Sequence, residues 1–139
     1  MMNLEQVYPK VREIIADVLV VDEDDVALTS RLIADLGAES IDFLDLVFQL
    51  EKEFSIKIPR GQLEKNARGE LTEQEFEKNG IITEKGLIAL KKYLNEVPES
   101  QFKASMKVNE IPMLFTVETF CKLILLAKQA HSSTQEMLA

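Results

Sequence analysis

The stretch that most constrains this chain is "SIDFLDLVFQLEKEF", residues 40–54. Wound as a helix, it places Phe43, Leu46, Val47, Leu50 and Phe54 within one arc about 100° wide, the width of an ordinary core face. Ile41, Leu44 and Phe48 form a second apolar arc, centred more than about 90° away. Asp45 and Glu51 flank that second arc, and Asp42 lies further round. A surface helix in a simple bundle needs only one apolar face. Two readings therefore stay open. Either the helix is central and packs on both sides, or the second arc is an exposed partner patch rimmed by acids.

Around this helix the pattern is that of a helical bundle with an elaboration. Residues 4–20 place Val7, Val11, Ile14, Ile15 and Val18 at helical spacing, with Pro9 either kinking the helix or lying in its first turn. Residues 21–39 read as a long loop holding the acidic run "DEDD", and Pro59 closes the first part. Residues 60–111 break the pattern. "RGQLEKNARGE" reads as a loop. Thr72 and Glu75 form a capping box, with Leu71 and Phe76 placed as a hydrophobic staple, and Gly80 is placed to end that short helix. A further helix is capped by Thr83 and stops before Pro98. The last helix spans roughly 117–130 behind a Thr116 cap, with Phe115 and Phe120 as staple, and 131–139 reads as a frayed, flexible tail. The expected organisation is one domain over 1–139, with 60–111 as an inserted helical segment.

Charge narrows the function. The net charge of −8 sits wholly in residues 1–59, which hold 13 acids against 5 bases; residues 60–139 hold 11 of each. An acidic module repels nucleic acid and attracts basic protein surfaces. No apolar run approaches the length of a membrane span, and the N-terminus lacks the basic-then-apolar order of a signal peptide. One cysteine, Cys121, cannot make an internal disulfide and fits a reducing cytoplasm. One cysteine and one histidine cannot build a structural zinc site, and "DEDD" lacks the glycine and terminal glutamate of a calcium loop. No metal is expected.

Ser40 opens the 40–54 helix, after the turn "DLGAE". Taken alone it reads as an N-cap. No elbow motif surrounds it, and the sole histidine, His131, lies in the tail, so nothing would activate it as a nucleophile. A phosphate ester on this serine suits the site better, because free N–H groups and the positive helix end stabilise a phosphate there.

The segment "DLGAESIDFLDLVFQLEKEFSIKIP", residues 35–59, closely resembles the acyl carrier proteins, in which an Asp-Leu-Gly turn leads to a serine at a helix start. The resemblance covers residues 1–59 and resumes in "FTVETFCKLI". It implies an all-α, acyl-carrier-like bundle in which 60–111 replaces the usual short third helix. It implies that Ser40 bears 4′-phosphopantetheine, attached by a phosphopantetheinyl transferase, and that acyl groups ride on the arm as thioesters. It also implies that Glu39, Ile41, Asp42, Leu44, Asp45, Phe48 and Glu51 meet partner enzymes, acyl-transferring or synthase, through basic docking surfaces. Such a protein is not an enzyme; it is expected to be a cytoplasmic monomer with no membrane insertion. Glu39 stands where the family usually has aspartate, and Phe43 where a small polar residue is common, so Phe43 is placed to narrow or redirect an acyl cavity. Together with the insertion, these departures suggest a specialised lipid, lipopolysaccharide or natural-product pathway. An aminoacyl or peptidyl carrier, and an unmodified docking protein of the same fold, are the alternatives.

Overall fold

In the computed structural model the described residues are 3–58 and 62–138; the side chains at positions 40, 63, 64 and 130–138 lie outside the description. The chain divides into two compact units. One comprises Met1–Ile58 with Thr116–Ala139, and the other Pro59–Phe115.

The first unit is built from three helices, α1 (Leu4–Leu19), α2 (Ser40–Phe54) and α6 (Val117–Leu138). Helix α1 starts at a capping box: the Asn3 side chain accepts from the Gln6 N–H at 3.0 Å, and the Gln6 side chain accepts from the Asn3 N–H at 2.9 Å. Pro9 lies inside α1, beyond its first turn, and both it and Glu5, whose carbonyl it leaves without the usual N–H partner, are exposed residues. Helix α1 packs on both α2 and α6. Its buried Val7, Val11 and Ile15 meet the unit's other apolar stripes, Leu46 and Leu50 of α2 and Phe120 and Ile124 of α6. Helix α6 continues beyond the expected residue 130 to Leu138; the tail expectation and His131 fall among side chains outside the description, as Pro59 falls outside the described residues. Thr116 and Thr119 close its amino end reciprocally, each hydroxyl accepting the other's N–H.

The long loop before α2 is tied down at several points. The N–H groups of Val117 and Glu118 donate to the carbonyls of Ser30 and Leu28 at 3.0 Å. Tyr8 Oη donates to the Val26 carbonyl. The acidic run forms a single 3₁₀ turn, Glu23–Asp25, whose Glu23 carbonyl accepts from Arg12 Nε at 2.6 Å.

The second unit is richer than the two capped helices and loops expected of 60–111. It contains α3 (Gln62–Arg68), α4 (Glu73–Phe76), a hairpin of β1 (Glu77–Lys78) and β2 (Ile81–Ile82), α5 (Glu84–Tyr93), and 3₁₀ turns at Glu99–Gln101 and Val108–Leu114. Helix α3 replaces the expected loop. Its apolar periodicity is weak, but Gln62 donates to Asn66 one turn on, Asn66 donates to Tyr93 Oη, and Gly69 ends it in the left-handed region at φ 58°. The Thr72–Glu75 capping box forms as expected. Gly80, however, does not end that helix, which stops at Phe76. Asn79 at φ 55° and Gly80 at φ 81° instead make the two-residue hairpin turn, both in the left-handed region, the type I′ geometry whose twist matches paired strands. Thr83 caps α5, accepting from the Gly86 N–H at 3.0 Å. The structure remains predominantly helical, with this hairpin as the only sheet among the described residues.

Candidate functional site

The turn entering α2 is fixed by one ion pair. Asp35 Oδ2 accepts from the Arg31 N–H at 2.8 Å, and Asp35 Oδ1 lies 3.3 Å from Arg31 Nη2. The N–H groups of Leu36, Gly37 and Ala38 then bond back to the carbonyls of Arg31, Ile33 and Leu32. Gly37 adopts φ 74°, which lets the chain reverse toward the helix, and Ala38 is buried behind it. Arg31 is a site residue that the sequence patterns do not single out; its only signal there is an arginine four residues before an aspartate.

The Arg31 N–H, seconded by its guanidinium, holds the Asp35 carboxyl below its ordinary range. Because the folded value is depressed, the clamp contributes fully above the unfolded value of about 4 and is lost as pH falls through the lowered folded value. Asp35→Asn is therefore expected to flatten the acid limb of the stability curve. At neutral pH it should cost less than about 1 kcal/mol, since the pair is partly exposed. A carboxyl NMR titration that finds Asp35 at an ordinary value would remove the clamp.

The helix start corrects one sequence reading. Glu39, not Ser40, holds the N-cap position, with extended backbone at φ −109°, ψ 166°. Its N–H donates to Asp42 Oδ2 at 2.8 Å. Ser40 is the first helical residue.

The second apolar arc of α2 faces solvent. Ile41 is 70% exposed, Leu44 63% and Phe48 60%, whereas Leu46 and Leu50 on the first arc are fully buried. Phe43 turns inward and stacks on Phe120, the ring centroids 6.0 Å apart. The three acids beside the patch are not equivalent. Asp42 is engaged at the helix start, and Glu51 Oε2 accepts from the Ile58 N–H at 2.7 Å, closing the chain after the helix. Asp45 is exposed and makes no ion pair among the described residues.

The chain's own thiol is withdrawn from chemistry. Cys121 is fully buried on α6, and burial, helped by the Glu118 charge, pushes its thiol up to about 12. It stays protonated at neutral pH and out of reach of any partner.

Residues 9–68 match the family model described as "Phosphopantetheine attachment site". The acyl carrier protein of Thermotoga maritima is 45% identical over 65 residues, covering 47% of this chain and 80% of that protein. This chain belongs to the acyl carrier protein family. The acyl carrier protein of Clostridium acetobutylicum is 44% identical over 59 residues, 42% of this chain and 77% of that one. "Acyl carrier protein AcpXL" of Mesorhizobium japonicum is 50% identical over 52 residues, but there the match spans only 37% of this chain and 56% of the relative.

As an acyl carrier protein the chain is a carrier, not an enzyme, and its prosthetic group is 4′-phosphopantetheine. That group supplies the reactive thiol that buried Cys121 does not. The family works through a phosphopantetheinyl transferase and through enzymes that transfer or build acyl groups. Among the described residues, no helix is long and apolar enough to cross a membrane.

Proposed function

We propose that this carrier bears its arm on Ser40 and serves a specialised acyl pathway. The observation that carries the assignment is the position of Ser40 as the first residue of α2, inside the matched residues 9–68. The two other serines in that span are placed differently. Ser30 Oγ already accepts from the Ala27 N–H at 3.0 Å, and Ser55 lies at the far end of α2 with φ 54°. Attachment joins the Ser40 oxygen to the β-phosphorus of coenzyme A; the pyrophosphate bond breaks, 3′,5′-ADP leaves, and the hydroxyl proton passes to a base of the transferase. The surroundings fit the product. Glu39, Ile41 and Leu44 around this helix end are exposed, and the positive end of a long helix favours a phosphodiester. Incubating the unmodified protein with coenzyme A and several transferases tests the reading. A mass gain of one phosphopantetheine is expected. A chain that no transferase modifies is a docking protein of the same fold instead.

The exposed face of α2 is read as the docking surface, with two separable roles. Asp45, free of structural duty, steers α2 toward basic enzyme surfaces and governs on-rate and salt dependence. Glu39, Asp42 and Glu51 add to the field, although the last two are also anchored within the fold. Ile41, Leu44 and Phe48 seat in a groove and govern off-rate. Asp45→Lys should slow association with a cognate enzyme, and the loss should shrink at 1 M salt, where the Debye length is about 3 Å. Ile41→Ala should shorten the complex lifetime while changing folding stability by less than about 0.5 kcal/mol. A fall of about 2–5 kcal/mol would make Ile41 a core residue and remove the patch.

The unit at 59–115 supports the specialised reading, since it stands where the family has a short helix. It is assigned to partner or cargo choice. Replacing 60–111 with a short helical linker should leave a chain that is still modified at Ser40 but accepts a different set of acyl groups or enzymes. Loss of folding on that replacement would make the unit part of the core.

A further inference from the structure

Two aromatic rings are stacked near the start of α2. Phe43 is half-buried, so its ring spans from the surface inward, whereas Phe120 is 1% exposed. The rings lie 19° from parallel, with centroids 6.0 Å apart. Both residues belong to the first unit, where the pair joins α2 to α6. The Phe43 ring therefore forms part of the cover over Phe120. Further along the same faces of the two helices, Leu46, Leu50 and Ile124 are fully buried. Phe43 also stands three residues after Ser40, and positions three apart on a helix are neighbours. The ring that reaches the surface over this core thus stands one turn from the attachment point.

An acyl chain tethered at Ser40 is apolar, and it leaves water for whatever apolar space the fold holds open within reach. At the turn next to the tether that space is filled by the Phe43 ring. A close-packed interior admits a chain only where a side chain gives way, and this ring is held by its contact with Phe120. We propose that Phe43, stacked on Phe120, closes the core of the first unit to the cargo, so that the acyl chain is carried outside that core. Phe43 is then a specificity-determining residue of an unusual kind, because it removes a constraint. A pocket of finite volume sorts chains by length, whereas a closed core treats a short chain and a long one alike. Choice of chain length falls to the surfaces that meet the arm outside these three helices. The inference rests on attachment at Ser40, and not on any particular pathway or partner enzyme.

Loading the full-length chain from acyl-coenzyme A donors carrying acetyl, octanoyl or hexadecanoyl groups tests it, read by the methyl resonances of Leu46, Leu50 and Ile124. In the wild type these resonances should be the same for all three cargoes. In Phe43→Ala they should shift progressively as the chain lengthens, and the melting midpoint should rise with them as the chain fills the space the ring left. If circular dichroism finds Phe43→Ala unfolded, Phe43→Val, which removes the ring but keeps more of the packing, takes its place. Wild-type core methyls that move as the chain lengthens overturn the proposal. So does a folded ring-deleted variant as indifferent to chain length as the wild type. Mass spectrometry of each sample separates this claim from the attachment itself. Without a mass gain the attachment at Ser40 fails, and benzene added to the unmodified protein decides whether the ring closes the core. It should shift the Ile124 methyls in the ring-deleted variant and leave them in place in the wild type. A wild-type shift, or a variant that takes up no benzene, overturns the closure.

Discussion

Ser40→Ala is expected to abolish transfer of phosphopantetheine completely while leaving the fold intact. The loss is total because the ester needs a hydroxyl, and the other serines within the matched span, Ser30 and Ser55, are placed in a bonded turn and at a helix carboxyl end. The stability cost is small for a reason visible in the fold. Removing a serine N-cap typically costs about 1 kcal/mol, but here Glu39 holds the cap position. Alanine is also intrinsically the best helix former. The melting midpoint should therefore correspond to a change below about 0.5 kcal/mol. Ser30→Ala and Ser55→Ala should both leave the mass gain unchanged. A Ser40→Ala protein that still gains the arm would move the attachment elsewhere.

Gly86→Ala is expected to destabilise the second unit selectively. Gly86 is buried at the start of α5, and a Cβ there would collide with the Phe76 carbonyl oxygen and lie 2.9 Å from Ile82 Cγ2. The obstacle is backbone that cannot rotate away, and the same Phe76 carbonyl accepts the Thr83 N–H at 2.9 Å. Gaining helix propensity returns up to about 1 kcal/mol. Overpacking against a fixed backbone costs about 1–3 kcal/mol or more, so the net effect destabilises. Amide exchange should accelerate across 76–97 while α1 and α2 keep their protection and Ser40 is still modified. Equal loss of protection in α1 and α2 would make the two units one cooperative block.

The parts legible in the sequence are those where one residue type at one spacing has a single physical use. The capping residues Asn3, Thr72 and Thr83 accept N–H bonds from helix starts, and the last two were readable because Thr-x-x-Glu and an apolar run leave few alternatives. The two arcs of α2 were legible as geometry, but which faced water was not, because periodicity says only that two faces are apolar. Helix α3 was hidden: its interior supports are Gln62, Asn66 and Tyr93, polar partners with no periodic signature. The hairpin was hidden for a different reason. Asn-Gly marks a hairpin turn as readily as glycine alone marks a helix end, and the flanking strands have only two residues each in which to show alternation. At the site, the Asp-Leu-Gly turn could be recognised, whereas its support could not. Arg31 gripping Asp35, and the division of labour among Asp42, Asp45 and Glu51, depend on where the loop and the helix ends come to rest.

The central claim, a carrier whose arm is esterified to Ser40, is tested most directly by peptide mass spectrometry of the protein purified from its native source. The account predicts phosphopantetheine, free or acylated at its thiol, on the peptide containing Ser40 and on no other. A native protein unmodified at Ser40, or modified at Ser30 or Ser55, would contradict it.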